Sequence, residues 1–112
     1  MTAQPKQHNQ NTYVDAVIAL YLKLPDTPVK PSYNDRLTAT GFFAQAIPLQ
    51  TIEAALLLAS LRRLSRPDNQ PSLSPVRSLA YFAPVVQEVV LYNLPDDYLQ
   101  YLRLKTRSFV SI

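Results

Sequence analysis

The side chains that could carry chemistry in this sequence are one histidine, seven tyrosines and two groups of basic residues. His8 stands alone in a polar N-terminal segment, so a Ser-His-Asp triad and a histidine metal cluster both lack the residues they need. The absence of cysteine excludes a thiolate zinc site and a cysteine nucleophile. A single glycine excludes the glycine-rich loops that hold nucleotide phosphates. We therefore expect a protein that is not an enzyme and that uses no cofactor and no metal.

The basic residues predict contacts with the phosphates of a nucleic acid. The first group lies within sixteen positions and consists of Arg62, Arg63, Arg66 and Arg77. The second group lies near the C-terminus and consists of Arg103, Lys105 and Arg107. The net charge is only +3, so the distribution of these residues matters more than their sum. Contacts of this kind position a nucleic acid without reading its base sequence.

Most acidic residues lie near predicted helix starts, where a negative charge stabilises the helix dipole. They are Asp15, Asp26, Asp35, Glu53, Asp96 and Asp97. Two of them, Asp35 and Glu53, could instead pair in space. Their positions favour capping and surface charge over catalysis.

The composition indicates one folded domain with part of its surface covered by a partner. The chain has 112 residues, which is enough for a single core. Hydrophobic residues make up 47% of the chain, and charged residues make up 17%, below the usual quarter. We find no signal-peptide pattern and no apolar run near the ~18 residues that a membrane span needs. We therefore expect a soluble, cytoplasmic protein with no membrane contact.

The hydrophobic pattern predicts an all-α domain of about five helices around a central helix at 49–64. Residues 1–11 are polar and lack an apolar period, which predicts a disordered tail followed by a single helical domain over 12–112. The run TIEAALLLASLRRL is built from strong helix formers. Because Leu57 and Leu61 widen its apolar face, this helix is expected to be packed by neighbours on several sides.

Capping residues and prolines set the other predicted boundaries. The first helix is expected to begin at Thr12 and to end at Pro25. The second helix is expected to begin with a capping box of Ser32 and Asp35 and to continue through Gly41 to about residue 46.

The fourth helix is expected to begin with Ser74 as N-cap and Pro75 in its first turn. Pro84 predicts a kink or a break of this helix near Phe82. The last helix is expected to begin at 94–97. The segment 108–112 is expected to dock as an extended strand or to fray.

Residues 33–64 could form a helix-turn-helix-like hairpin, because the short IPL turn separates the second helix from the third. A recognition helix needs polar or basic residues near its N-terminus. Here Gln50, Thr51 and Glu53 precede a run of core residues. This pattern favours a plain helical hairpin over a DNA-reading one.

The run IPLQTIEAALLLASLRRL, followed by PVRSLAYFAPVVQEV, resembles small helical domains of bacterial replication and mobile-element proteins. In their primosomal DnaD-like class a helix is likewise followed by a short helix with a tyrosine-containing patch. The resemblance covers about residues 47–90, in which SLAYF supplies that patch. It implies an accessory nucleic-acid-binding module of a bacterial mobile-element, replication or defence system.

Two classes of function stay open at this point. The first is the non-enzymatic nucleic-acid module that uses the two basic groups. The second is a protein-interaction module or a small helical subunit of a larger, possibly nucleoprotein, assembly. Exposed tyrosines, leucines and arginines are favoured at such interfaces, and a homo-oligomer is one form of this second class. Salt separates the two classes, because phosphate contacts weaken as salt rises.

Overall fold

The computed structural model of this chain describes residues 6–65, 69–71 and 73–107. In this part of the chain the backbone forms five α-helices and one 3-10 turn, and it contains no strand. The helices are α1 (Lys6–Leu22), α2 (Tyr33–Ala44), α3 (Leu49–Leu64), α4 (Ala83–Tyr92) and α5 (Asp96–Thr106), and the 3-10 turn is Leu79–Phe82. The prediction of an all-helical domain of about five helices is confirmed.

α3 is the central helix of this fold, and its bounds are those expected from the sequence. Its buried residues cover most of its circumference: Ile52, Ala54, Ala55, Leu56, Leu57, Ala59 and Ser60. α1, α4, α5 and the 3-10 turn all pack against it. The predicted central position is confirmed, because a helix that is apolar on most sides needs neighbours on most sides.

α1 begins at Lys6, six residues before the predicted start at Thr12. The prediction of a disordered tail is therefore wrong for residues 6–11, and residues 1–5 lie outside the described residues. Lysine and glutamine are good helix formers, and extending an existing helix carries no new nucleation cost. The apolar residues Val14, Val17, Ile18 and Tyr21 of this helix are buried in the core, and Leu22 is partly buried.

α2 begins with the predicted capping box. The Asp35 N–H donates to Ser32 Oγ over 3.1 Å, and the Ser32 N–H donates to Asp35 Oδ2 over 2.9 Å. Gly41 lies inside the helix, as expected. The helix ends at Ala44, two residues early, because Ala46 adopts a left-handed conformation with φ of 58°.

The segment 33–64 is a helix, a short turn and a helix, as expected, but α2 packs on α1 and on the 3-10 turn instead of along α3. Tyr13 of α1 joins these parts. Its ring meets Phe43 edge to face at 5.3 Å, and its hydroxyl donates to the Ile47 carbonyl over 2.6 Å. Burial raises the pKa of Tyr13 to about 12.

The predicted start of the fourth helix at Ser74 is wrong, because residues 73–78 are not helical. Val76 is buried in this connector, and its N–H donates to the Asp26 carbonyl over 2.8 Å. α4 begins instead at Ala83. Pro84 then falls in the first turn, where its missing N–H costs nothing. The predicted break near Phe82 is confirmed as the change from the 3-10 turn to α4.

A left-handed Asn93, with φ of 50°, ends α4, and α5 begins after Pro95 as expected. α5 packs against α3 and buries Leu99, Leu102 and Thr106. The segment 108–112, predicted to dock or to fray, lies outside the described residues. Among the helices of the described chain, none combines the length and the apolar character needed to cross a bilayer.

Candidate interaction surfaces

Arg62, from the first basic group, is held by a carboxylate of the neighbouring helix. Its Nη1 and Nη2 donate to the two oxygens of Glu88 over 2.9 and 2.6 Å. These hydrogen bonds raise the pKa of Arg62 and lower the pKa of Glu88. Because the pair is bidentate, a phosphate could bind Arg62 only in competition with Glu88.

Arg63 is almost buried, with 9% of its side chain exposed. Its guanidinium donates to the Tyr81 hydroxyl, to Asp26 Oδ2 and to the Ser74 carbonyl over 2.9, 3.3 and 3.1 Å. It also lies 5.3 Å from the centre of the Tyr81 ring. Burial lowers the pKa of Arg63, but the hydrogen bonds to Tyr81 and Asp26 give a net increase. Arg63 therefore holds the connector in place.

Arg77 and Arg103, which were also predicted to bind phosphates, have different surroundings. Arg66 lies outside the described residues. Arg77 is exposed and makes no ion pair with any described carboxylate. Arg103 donates to both oxygens of Glu53 over 2.8 and 2.7 Å, which raises its pKa. Glu53 and Arg62 stand roughly 14 Å apart along α3 at 1.5 Å per residue, so the two arginine pairs occupy different parts of the helix.

Some of the acidic residues make contacts that the sequence pattern did not predict. Asp15 stands in the middle of α1 and pairs with Arg36 over 2.9 Å, so its predicted function at a helix start is wrong. Asp35 and Glu53 do not pair with each other. Asp35 accepts the N–H groups of Ser32 and Leu79, whereas Glu53 accepts hydrogen bonds from Arg103. In the described part of the chain, no group of three or more metal-ligating side chains could hold an ion.

Asp35 joins two parts of the fold. It is 1% exposed, and its second oxygen, Oδ1, accepts the N–H of Leu79 over 2.9 Å. The hydroxyl of the fully buried Tyr21 has no hydrogen-bond partner among the described residues. The pKa of Tyr21 is raised to about 12, mainly by burial and to a smaller extent by the negative charge of Asp35. Asp35 and Tyr21 are both enclosed in the core, so no substrate can reach them.

The last turn of α4 is apolar on every side but is largely exposed. Val89 faces the core, whereas Val90, Leu91 and Tyr92 are 41%, 83% and 71% exposed. Successive residues of a helix point about 100° apart, so these four side chains surround the helix axis. A helix end with this pattern is typical of a buried position.

A groove of about 800 Å³ lies beside this turn, between the end of α4, the start of α3 and α5. Its apolar lining includes Ile47, Ala54, Val89, Val90, Leu94 and Leu99. Its polar lining includes Gln45, Gln50, Thr51, Asn93 and Gln100. Arg103 is the single charged residue among the described lining residues, and Glu53 already neutralises it.

The outer side of α5 carries an aromatic and basic cluster. The rings of Tyr98 and Tyr101 stack with their centres 5.7 Å apart and an angle of 25° between their planes. The Lys105 Nζ lies 5.7 Å from the centre of the Tyr101 ring. Neither Lys105 nor Arg107 forms an ion pair with a carboxylate of the described chain.

The sequence pattern did not predict the groove or the exposed turn of α4. The run VVLY at the end of α4 does indicate a helix turn that is apolar on every side. The sequence pattern also did not predict that Glu88 pairs with Arg62 or that Asp26 pairs with Arg63. No local signal identifies these pairs, because the partners are 26 and 37 positions apart.

No protein family, curated protein or solved structure matches this chain. The resemblance of residues 47–90 to DnaD-like domains therefore stays a prediction. Much of α3 is buried, whereas a recognition helix presents an exposed face to the major groove. The described surface offers an exposed apolar turn with a neutral groove, and basic residues of which several are already paired.

Proposed function

We propose that this chain is a non-enzymatic protein-interaction module, and that its groove and the last turn of α4 together bind a segment of a partner protein. The exposure of Leu91 and Tyr92 in a turn that is apolar on every side carries this proposal. Burying apolar surface contributes about 25 cal/mol per Å², so a partner that covers these side chains gains free energy.

The lining of the groove defines the chemistry of the partner. Carboxamide groups, such as those of Gln50 and Asn93, can both donate to and accept from the peptide groups of an extended chain. A charged side chain would find no opposite charge there, because Arg103 is already paired with Glu53. We therefore expect an uncharged peptide segment with one or two apolar anchors.

A selection from a random displayed-peptide library against the immobilised chain tests this proposal. Enriched peptides should carry apolar anchors and few charges, and their binding should change little with salt. Val90→Asp should weaken the binding of an enriched peptide at least tenfold, because it places a charge at the edge of the groove. Val29→Asp is the matched control, since Val29 is 92% exposed in the loop between α1 and α2.

Two results would contradict the proposal. One is that no peptide is enriched more strongly on the parent chain than on the Val90→Asp variant. The other is a set of enriched peptides that are mainly acidic or basic and that bind both variants equally.

Nucleic-acid binding is the second candidate function, and the exposed, unpaired cations favour it. Arg77, Lys105 and Arg107 make no ion pair with a described carboxylate, so phosphates could reach them without competition. Arg62, Arg63 and Arg103 belong to internal pairs, and they contribute less.

Replacing the three unpaired cations together by glutamine tests this second function without breaking an internal ion pair. The parent should bind single-stranded or duplex probes weakly at low salt, with similar affinity for unrelated sequences. The triple variant should lose this binding and unfold at the same urea concentration as the parent. A parent that does not bind at low salt would exclude the nucleic-acid function.

A further inference from the structure

The outer side of α5 forms an exposed stripe that no described element covers. Leu99, Leu102 and Thr106 are buried on the inner side. Asp97, Tyr101, Leu104 and Lys105 are exposed on the opposite side. The spacing of four and three residues from Asp97 to Tyr101 to Leu104 keeps this stripe on one face, as in the seam of a coiled coil.

The charges of this stripe are arranged symmetrically about its centre. Asp97 lies four residues before Tyr101, and Lys105 lies four residues after it. The acid and the base are therefore about 12 Å apart along the helix, with an exposed aromatic ring midway. An antiparallel copy of the same stripe is its electrostatic complement.

We infer that this face of α5 binds the same face of a second copy of the chain, around a twofold axis beside Tyr101. In this register Asp97 of each copy faces Lys105 of the other, and the two Tyr101 rings meet at the axis. Within each copy, the Tyr98 ring stacks on the Tyr101 ring and holds that ring in position. A parallel register is disfavoured, because it would place like charges opposite each other.

The size of the stripe implies a weak, concentration-dependent dimer. Three turns of one helix bury less than the ~800 Å² per partner of a standard interface. The Tyr101 rings and the Leu104 side chains supply the exposed apolar area, and the two symmetry-related ion pairs set the register.

This inference goes beyond the proposed function because it uses a different side of α5. The groove is lined by Leu99, Gln100 and Arg103, none of which belongs to the stripe. A dimer through α5 therefore leaves the groove open for a peptide. The two surfaces can be tested independently.

Sedimentation velocity over a wide range of protein concentration tests the inference by charge reversal. Asp97→Lys and Lys105→Glu should each weaken dimerisation about tenfold, because each turns two attractive pairs into repulsive ones. An equal mixture of the two single variants should associate again, since all facing pairs are then opposite. The double variant Asp97→Lys/Lys105→Glu should regain self-association.

The mixture also separates dimerisation from folding, because a variant that is merely unfolded cannot be rescued by another variant. Tyr101→Asp should abolish dimerisation, whereas Tyr33→Asp, on the 75% exposed tyrosine of α2, should leave it unchanged. A parent that stays monomeric at the highest concentration would overturn the inference. Single variants that dimerise as the parent does, or that fail to associate when mixed, would overturn it too. Val90→Asp should dimerise normally, so failure of the peptide site is distinguishable from failure of the dimer.

Discussion

Replacing Asp35 by alanine should destabilise the domain by more than the loss of a helix cap. The carboxylate has two separate functions, since Oδ2 accepts the N–H of Ser32 and Oδ1 accepts the N–H of Leu79. Ser32 is exposed, so water replaces the first bond at a cost of about 1 kcal/mol, typical of a cap. Leu79 has no exposed area, and its unpaired N–H costs about 1–3 kcal/mol more.

The expected loss is therefore about 2–4 kcal/mol for Asp35→Ala, against about 1 kcal/mol for the matched control Ser32→Ala. Urea unfolding followed by circular dichroism measures both free energies of unfolding. Asp35→Asn should lie between them, because one amide oxygen can accept only one of the two bonds well. Equal losses for Asp35→Ala and Ser32→Ala would show that the bond to Leu79 contributes nothing and would refute this reasoning.

Two further predictions concern the core. Leu57→Asp should destabilise the domain by about 4 kcal/mol or more, because it places an unpaired charge in the core around α3. Leu104→Asp, at a 62% exposed position, should change the stability little. If the Leu57→Asp variant melted like the parent, the central position of α3 would be contradicted. Tyr21→Phe should cost little at neutral pH, because it removes a buried hydroxyl that has no partner among the described residues. Folding raises the pKa of Tyr21 from 10 to about 12. Between pH 10 and pH 12 the folded parent therefore keeps a proton that the unfolded chain loses, and its free energy of unfolding falls as the pH rises through this range. The phenylalanine variant should lose about 2–3 kcal/mol less over this range, as measured by urea unfolding at each pH, and an equal loss in both proteins would contradict the shift.

The features that the sequence predicted well are those decided by neighbouring residues. The capping box of Ser32 and Asp35 joins groups three positions apart, and it forms wherever a helix begins there. The bounds of α3 follow from strong helix formers between Pro48 and the connector. Its central position follows from an apolar surface too wide for a single neighbour to cover.

The start of α4 could not be predicted because a distant contact overrides a local signal. Ser74 and Pro75 have the residue types of a helix start, but the Val76 N–H binds the Asp26 carbonyl and its side chain enters the core. Arg63 then holds the same connector through the Ser74 carbonyl. These contacts favour the extended backbone over a first helical turn.

The availability of the basic residues was likewise decided by the tertiary structure alone. The sequence determined that arginines cluster near the end of α3 and lysine and arginine near the end of α5. Only the path of the chain brings Arg62 to Glu88, Arg63 to Asp26 and Arg103 to Glu53, over separations of 26, 37 and 50 positions. A charge acts on a partner according to what lies within a few ångströms of it, and distance along the chain carries no such information.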